Sequence, residues 1–174
     1  MTLVKWVTRE HVHVDRVACP WLIRKFVDPD AEFIFVPVEK IEETVRKEGA
    51  IPFDAPRVKL GHKGNKCSFD AIIEKYHLKD EALQELAKIV RGADTEDKKL
   101  APESIGLEAI ASGSMIIVKD DHEAIRKGKY VYDSLYAYCK LKILREKYKK
   151  ELEKMDRKQR FEFLKKKVKK KNRK

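Results

Sequence analysis

Residues 13–26, HVDRVACPWLIRKF, set Val17, Trp21, Leu22 and Phe26 at helical spacing and stop short of Asp28-Pro29, where the residue before proline is pushed out of helical space. The stretch predicts a helix, with Asp15 as its cap and Pro20 expected to kink it or delay its start. Apolar runs too short for helices lie on both sides. VKWVTREHVHV (residues 4–14) alternates, with a break near Arg9-Glu10, and EFIFVP (32–37) ends in a proline, so both predict strands. EKIEETVRKEG predicts a short surface helix closed by Gly49, and RVKLGH a further strand running into the loop KGN.

After Cys67 the pattern turns helical. Ser68 is a plausible N-cap for FDAIIEKYH, and DEALQELAKIVRG repeats Leu83, Leu86, Ala87 and Val90 before stopping at Gly92. APESIGLEAIASG opens with a proline suited to a first turn, and the long segment from Asp120 to Lys150 opens with acids that suit a helix N-terminus. Leu144, Tyr148, Leu152 and Met155 continue its stripe, so the helix is expected to extend toward a dense like-charge ending, KKKVKKKNRK, that frays in solution. The fold class is α+β: a small N-terminal β-sheet backed by a mainly helical second half, with a long basic C-terminal helix. Residues 1–140 form the expected domain and 141–174 a basic extension.

The chain has 174 residues and a net charge of +11. Residues 1–139 hold 22 Lys or Arg against 24 Asp or Glu, so the excess positive charge belongs to the last 35 residues. The globular part is nearly neutral, and the tail, residues 150–174, is where non-specific RNA or DNA contact through phosphates is expected if it occurs. Three cysteines without a C-x-x-C argue against a disulfide framework or a zinc ribbon, and suit reduced thiols in a cytoplasmic protein. No segment approaches the roughly 18 apolar residues of a membrane span, so no membrane partner is expected.

The strings WVTRE, HVDRVACPWLIRKFVDPDAEFIFVP, HKGNKCSFDAIIEKYHL, IVRGADT, LAPESIGLEAI and DDHEAIRKGKYVYDSLYAYC together closely resemble the chromate-resistance domain found at the C-terminus of ChrB-type regulators and as a stand-alone protein. The resemblance covers roughly residues 4–140 and implies a role in sensing or resisting chromate, a stress response. Such regulators carry a DNA-binding region ahead of this domain. Here the domain starts almost at residue 1, so that region is expected to be missing.

The chemistry-bearing residues fall into a few groups. On an ideal helix Arg16, Pro20 and Arg24 share one side, the two arginines about 12 Å apart. Two readings of them stand: ion pairing and snorkelling, or an oxyanion site, chromate-like or sulfate-like, completed by Arg9. Cys19, beside them, reads as helix filler. His62 and Cys67 flank a tight loop before a helix start, where the helix end, Lys63 and Lys66 would lower a thiol's pKa. Cys67 is therefore the candidate reactive cysteine, or a ligand shared with His62 for zinc or iron. His62 with Asp94 and Glu103 is the alternative metal set, against simple capping and salt bridges. His11 and His13 are spaced to share a strand face, and His122 reads as a first-turn residue. The functional classes are a domain binding an oxyanion or a metal ion, and a redox enzyme acting on chromate or an oxygen species through Cys67 or bound iron. No G-x-G-x-x-G or Walker sequence is present, which favours binding.

Overall fold

The computed structural model describes residues 4–171. It is α+β: a small parallel sheet at the N-terminus, then helices. The sheet has the order β2-β1-β3, with β1 (Lys5–Arg9) central, β2 (Glu32–Val36) on one side and β3 (Ile51–Pro52) on the other. Lys5 to Arg9 pair in register with Glu32 to Val36, and Trp6 and Val7 with Ile51 and Pro52. Helix α1 (Val14–Phe26) connects the two long strands, and α2 (Ile41–Glu48) follows, closed by Gly49 at φ +64° as the sequence predicts.

Alternation along β1 divides its side chains between two apolar layers. Val7 packs with Ile34, Val36, Ile41 and Val45 under α2. Trp6, with Phe33, joins the main core formed by α1, α3 (Ser68–Lys75), α4 (Glu81–Asp94), α5 (Glu103–Ile117) and α6 (Asp121–Lys147). Helices therefore cover both faces, as parallel sheets require. Trp21, on α1, is the aromatic hub, its ring centroid within 6.5 Å of those of Phe26, Phe69, Tyr132 and Tyr136.

Several expectations change. RVKLGH forms no strand: only Leu60 makes a single bridge, to Phe53, and the third strand is the two-residue Ile51–Pro52. A proline is tolerated there because β3 is an edge strand. Pro20 neither delays nor interrupts α1, which starts at Val14. That start is anchored from outside, since Asp121 accepts from the His11 and Val12 amides at 3.0 and 2.8 Å and Asp94 from the Asp15 amide at 3.3 Å. The N-cap of α3 is Cys67, not Ser68. Helix α4 runs past Gly92 to Asp94. Glycine is needed at 92 for close approach, because a Cβ there would lie 2.4 Å from Ser104 Oγ.

The C-terminal segment is not one long helix. It breaks after Lys147 and again after Glu153, giving α7 (Lys149–Glu153) and α8 (Arg157–Lys171). Leu152 and Leu164 bury against Leu144 of α6, so the basic segment folds back on the domain. Of the ending expected to fray, residues 165–171 are helical as the end of α8, and residues 172–174 lie outside the described residues.

Candidate metal centre

Three aspartates from three parts of the chain meet one imidazole. Asp15 is on the first turn of α1, Asp94 ends α4, Asp54 follows β3, and His62 lies in the loop before α3. His62 Nε2 is 3.0 Å from Asp94 Oδ2, 3.4 Å from Asp54 Oδ1 and 3.6 Å from Asp15 Oδ2. His62 is 44% exposed, whereas Asp15 and Asp54 are buried, so the imidazole closes the solvent side of a recessed acidic cluster.

Each carboxylate is fixed differently. Asp15 does not cap its own helix. It accepts from the Ser68 and Phe69 amides at 2.6 and 3.2 Å, satisfying the first turn of α3, and the Cys19 thiol donates to it at 3.6 Å. Asp54 takes Arg16 Nη1 at 3.0 Å, the Ser68 hydroxyl at 2.8 Å and, more distantly, Arg9 Nη2 at 3.4 Å. Its carbonyl accepts from Arg9 Nε at 3.1 Å and Thr8 Oγ1 at 3.3 Å, and these bonds hold its backbone at φ +42°, a left-handed conformation unusual outside glycine. Asp94 has the fewest protein donors, with one amide and His62.

The proton affinities follow. The Asp54 hydrogen bond, with Asp15 and Asp94 nearby, raises His62 to about 9 against the opposing effect of partial burial. Burial and the neighbouring Asp54 push Asp94 up to about 6. Burial, then Asp94 and Asp54, also raise Asp15. Burial would raise Asp54 too, but His62, Ser68, Arg16 and Arg9 together carry it down to about 2. Both guanidinium groups are held at Asp54, so Asp15 and Asp94 bear the burial and the mutual repulsion with His62 as their nearby cation.

Of the residues singled out by sequence, the structure brings His62, Asp94, Arg9, Arg16 and Cys67 into this region and separates two others. Arg24 points elsewhere along α1, donating to the Ala31 carbonyl at 3.2 and 3.1 Å and lying over the Phe33 ring. Glu103 opens α5 and pairs with Lys142 at 3.4 Å. Among the described residues, the metal-sized set is Asp15, His62 and Asp94, whose ligand atoms lie within 4.8 Å of one another. Asp54 carries no sequence signal as a site residue, since it is a lone acid in FDAP, and Asp15 reads from sequence only as a cap.

Cys67 is not a tuned thiolate. It is fully buried, and burial, Asp15 and Asp70 raise its thiol strongly. Two helix-end amides, those of Ser68 and Phe69, donate to Asp15, and although the Asp70 amide reaches the sulfur, the Asp70 carboxylate stands 3.5 Å from it and burial outweighs the amide. Cys19 and Cys139 are buried and free as well. His11 and His13 do not share a strand: His11 has φ +60° and His13 is the N-cap of α1.

Residues 6–139 match the family model described as "ChrB, C-terminal domain". The chain is 34% identical over 137 residues to a protein named "Protein ChrB" from Cupriavidus metallidurans, an alignment covering 77% of this chain and 40% of that relative. No solved structure matches significantly. No helix among the described residues is long and apolar enough to cross a membrane.

Proposed function

The chain belongs to the ChrB C-terminal domain family, and from that premise we propose that it serves chromate resistance by holding a divalent first-row metal ion, zinc or iron(II), between Asp15, His62 and Asp94. The observation that carries the reading is the convergence of these side chains around one exposed imidazole. Zinc–ligand bonds of about 2.0–2.1 Å put neighbouring donors of a tetrahedral site about 3.3 Å apart. His62 Nε2 stands at 3.0 and 3.6 Å from the two carboxylates. One imidazole and two carboxylates form a donor set suited to zinc or iron, and a dication would offset the burial and the repulsion that raise Asp15 and Asp94.

The oxyanion reading at this place fares worse. Arg16 donates to Asp54 and to the His11 carbonyl at 3.0 Å each, Arg9 binds the same aspartate, and a chromate or sulfate ion there would face three carboxylates. Thiol redox chemistry is opposed by the burial of Cys67, so any redox role would run through the bound metal. Three free, buried cysteines suit a reducing, cytoplasmic setting.

Metal analysis of protein purified without a histidine tag tests the reading. Close to one equivalent of zinc or iron is expected in the native chain and a large loss in Asp94→Asn, whose aspartate has the fewest structural duties. A metal-free native protein that also fails to take up either ion on dialysis would refute it.

A further inference from the structure

The second half of α1 and the first half of α6 enclose a cleft of about 530 Å³, within the usual size range of small-molecule sites. Its floor is apolar, made by Pro20, Trp21 and Ile125, all buried. Its rim is cationic: Arg24, Lys25, Arg126 and Lys129 surround a single lining carboxylate, Asp133. That carboxylate is already saturated by the Trp21 indole N–H at 3.0 Å, Lys25 at 3.0 Å and Lys129 at 2.5 Å.

Arg24 is the informative side chain. Its Nε and Nη2 share one backbone carbonyl, and no carboxylate is among its partners in the described residues, although it is a guanidinium set among other cations. Arg126 is exposed and, among the described residues, pairs with Glu123 of its own helix, at 3.2 Å. A rim whose cations outnumber its carboxylates, over an apolar floor, selects a ligand with both characters. Guanidinium groups match phosphate oxygens in geometry. A bare oxyanion would leave the Trp21–Ile125 floor and most of the volume unused.

We propose that this cleft binds a small organic phosphate, its ring-sized apolar body on Pro20, Trp21 and Ile125 and its phosphate held by Arg24, Arg126 and Lys129. The site is independent of the metal centre, on the opposite end of α1, and it gives Arg24 a ligand that the acidic cluster does not.

The test is calorimetric titration of the metal-free full chain with phenyl phosphate, adenosine monophosphate and inorganic phosphate. Saturable binding of at least one organic phosphate is expected, about tenfold or more tighter than inorganic phosphate, as burial of a ring on the floor should add at least that much. Arg24→Met should weaken it about tenfold, the lower range for losing a charge-assisted bond. Arg126→Gln, on an exposed side chain that folding does not need, should weaken it severalfold with the unfolding midpoint unchanged. Arg57→Gln, beside α2, should leave it intact. No saturable binding of either organic phosphate, equal affinity for inorganic phosphate, or indifference to both the Arg24 and Arg126 substitutions would overturn the proposal.

Discussion

The two ends of α1 are held by opposite physics. Its first turn is locked into buried polar groups, where Asp15 serves the amides of α3, Asp94 serves the Asp15 amide, and Arg16 is spent on Asp54. Its second half is locked by aromatic packing around Trp21, and Arg24 there is left with a carbonyl and a ring face. Two arginines two turns apart on one helix thus have different tasks. A buried acid fixes the first, whereas the second stays available.

That contrast predicts an order of stability losses in urea unfolding of the metal-free protein. Trp21→Ala should cost most, about 3–5 kcal/mol, because the ring is buried among four other aromatic side chains. Arg16→Met should cost about 2 kcal/mol, less than the full price of stranding a buried charge because Arg9, His62 and Ser68 still reach Asp54. Arg24→Met should cost about 1 kcal/mol or less, since its methylenes can still cover Phe33. Equal losses for the two arginines would erase the distinction between the ends.

How much of this is legible in the sequence also differs between the two ends. The aromatic end follows from spacing: Val17, Trp21, Leu22 and Phe26 predict the helix and its buried face, and β1, β2, α2 and most of α4 are equally local in origin. The polar end depends on partners far apart in sequence. Arg16 meets Asp54 across 38 positions and Asp15 meets Ser68 across 53, and no periodicity encodes such contacts. Hence Asp15 reads as a cap for its own helix when it caps another, and Asp54 is invisible. The sequence does single out His62, which with Cys67 flanks the loop before α3, and Asp94, which stands near a helix C-terminus where the dipole gives it no support, but it groups them with Glu103, not with Asp15. The turn-back after Lys147 is hidden for a related reason: Leu144, Tyr148, Leu152 and Met155 keep a helical stripe whether the helix continues or breaks, and that spacing does not mark the ends at Lys147 and Glu153.

The polar end should also respond to pH in a way the aromatic end cannot. His62 is raised to about 9 in the folded chain, so its stabilisation is complete below about 6.5 and is lost as pH rises through about 9. Asp94, raised to about 6, holds its proton longer folded than unfolded, and stability should fall as pH rises from about 4 to 6. Asp54 acts oppositely, with stabilisation present above about 3.9 that disappears as pH falls toward 2. The metal-free protein should therefore be most stable in mild acid, by a margin reduced by solvent screening at the exposed His62. Urea midpoints measured in a chelator from pH 4 to 9 check this, and a midpoint that rises steadily with pH would contradict it. The smallest expected signal is chemical. In the native protein Cys67 should react with an alkylating probe about a hundredfold slower than in the unfolded chain, because its thiol is buried and its proton tightly held. Comparable rates would return the thiol to the list of reactive groups.

The central claim is that the polar end is built to hold a cation. Calorimetric titration of the metal-free chain with zinc at pH 7.5, alongside His62→Ala, tests it most directly. His62 is 44% exposed on the solvent side of the cluster, so the variant should fold, and its loss removes the nitrogen ligand of the set. The account predicts one ion per chain, at least about one proton released per ion because the imidazole is protonated at that pH and Asp15 is raised as well, and affinity at least about tenfold weaker in the variant. Binding of unchanged stoichiometry and affinity in His62→Ala, or no binding in the native chain, would contradict it.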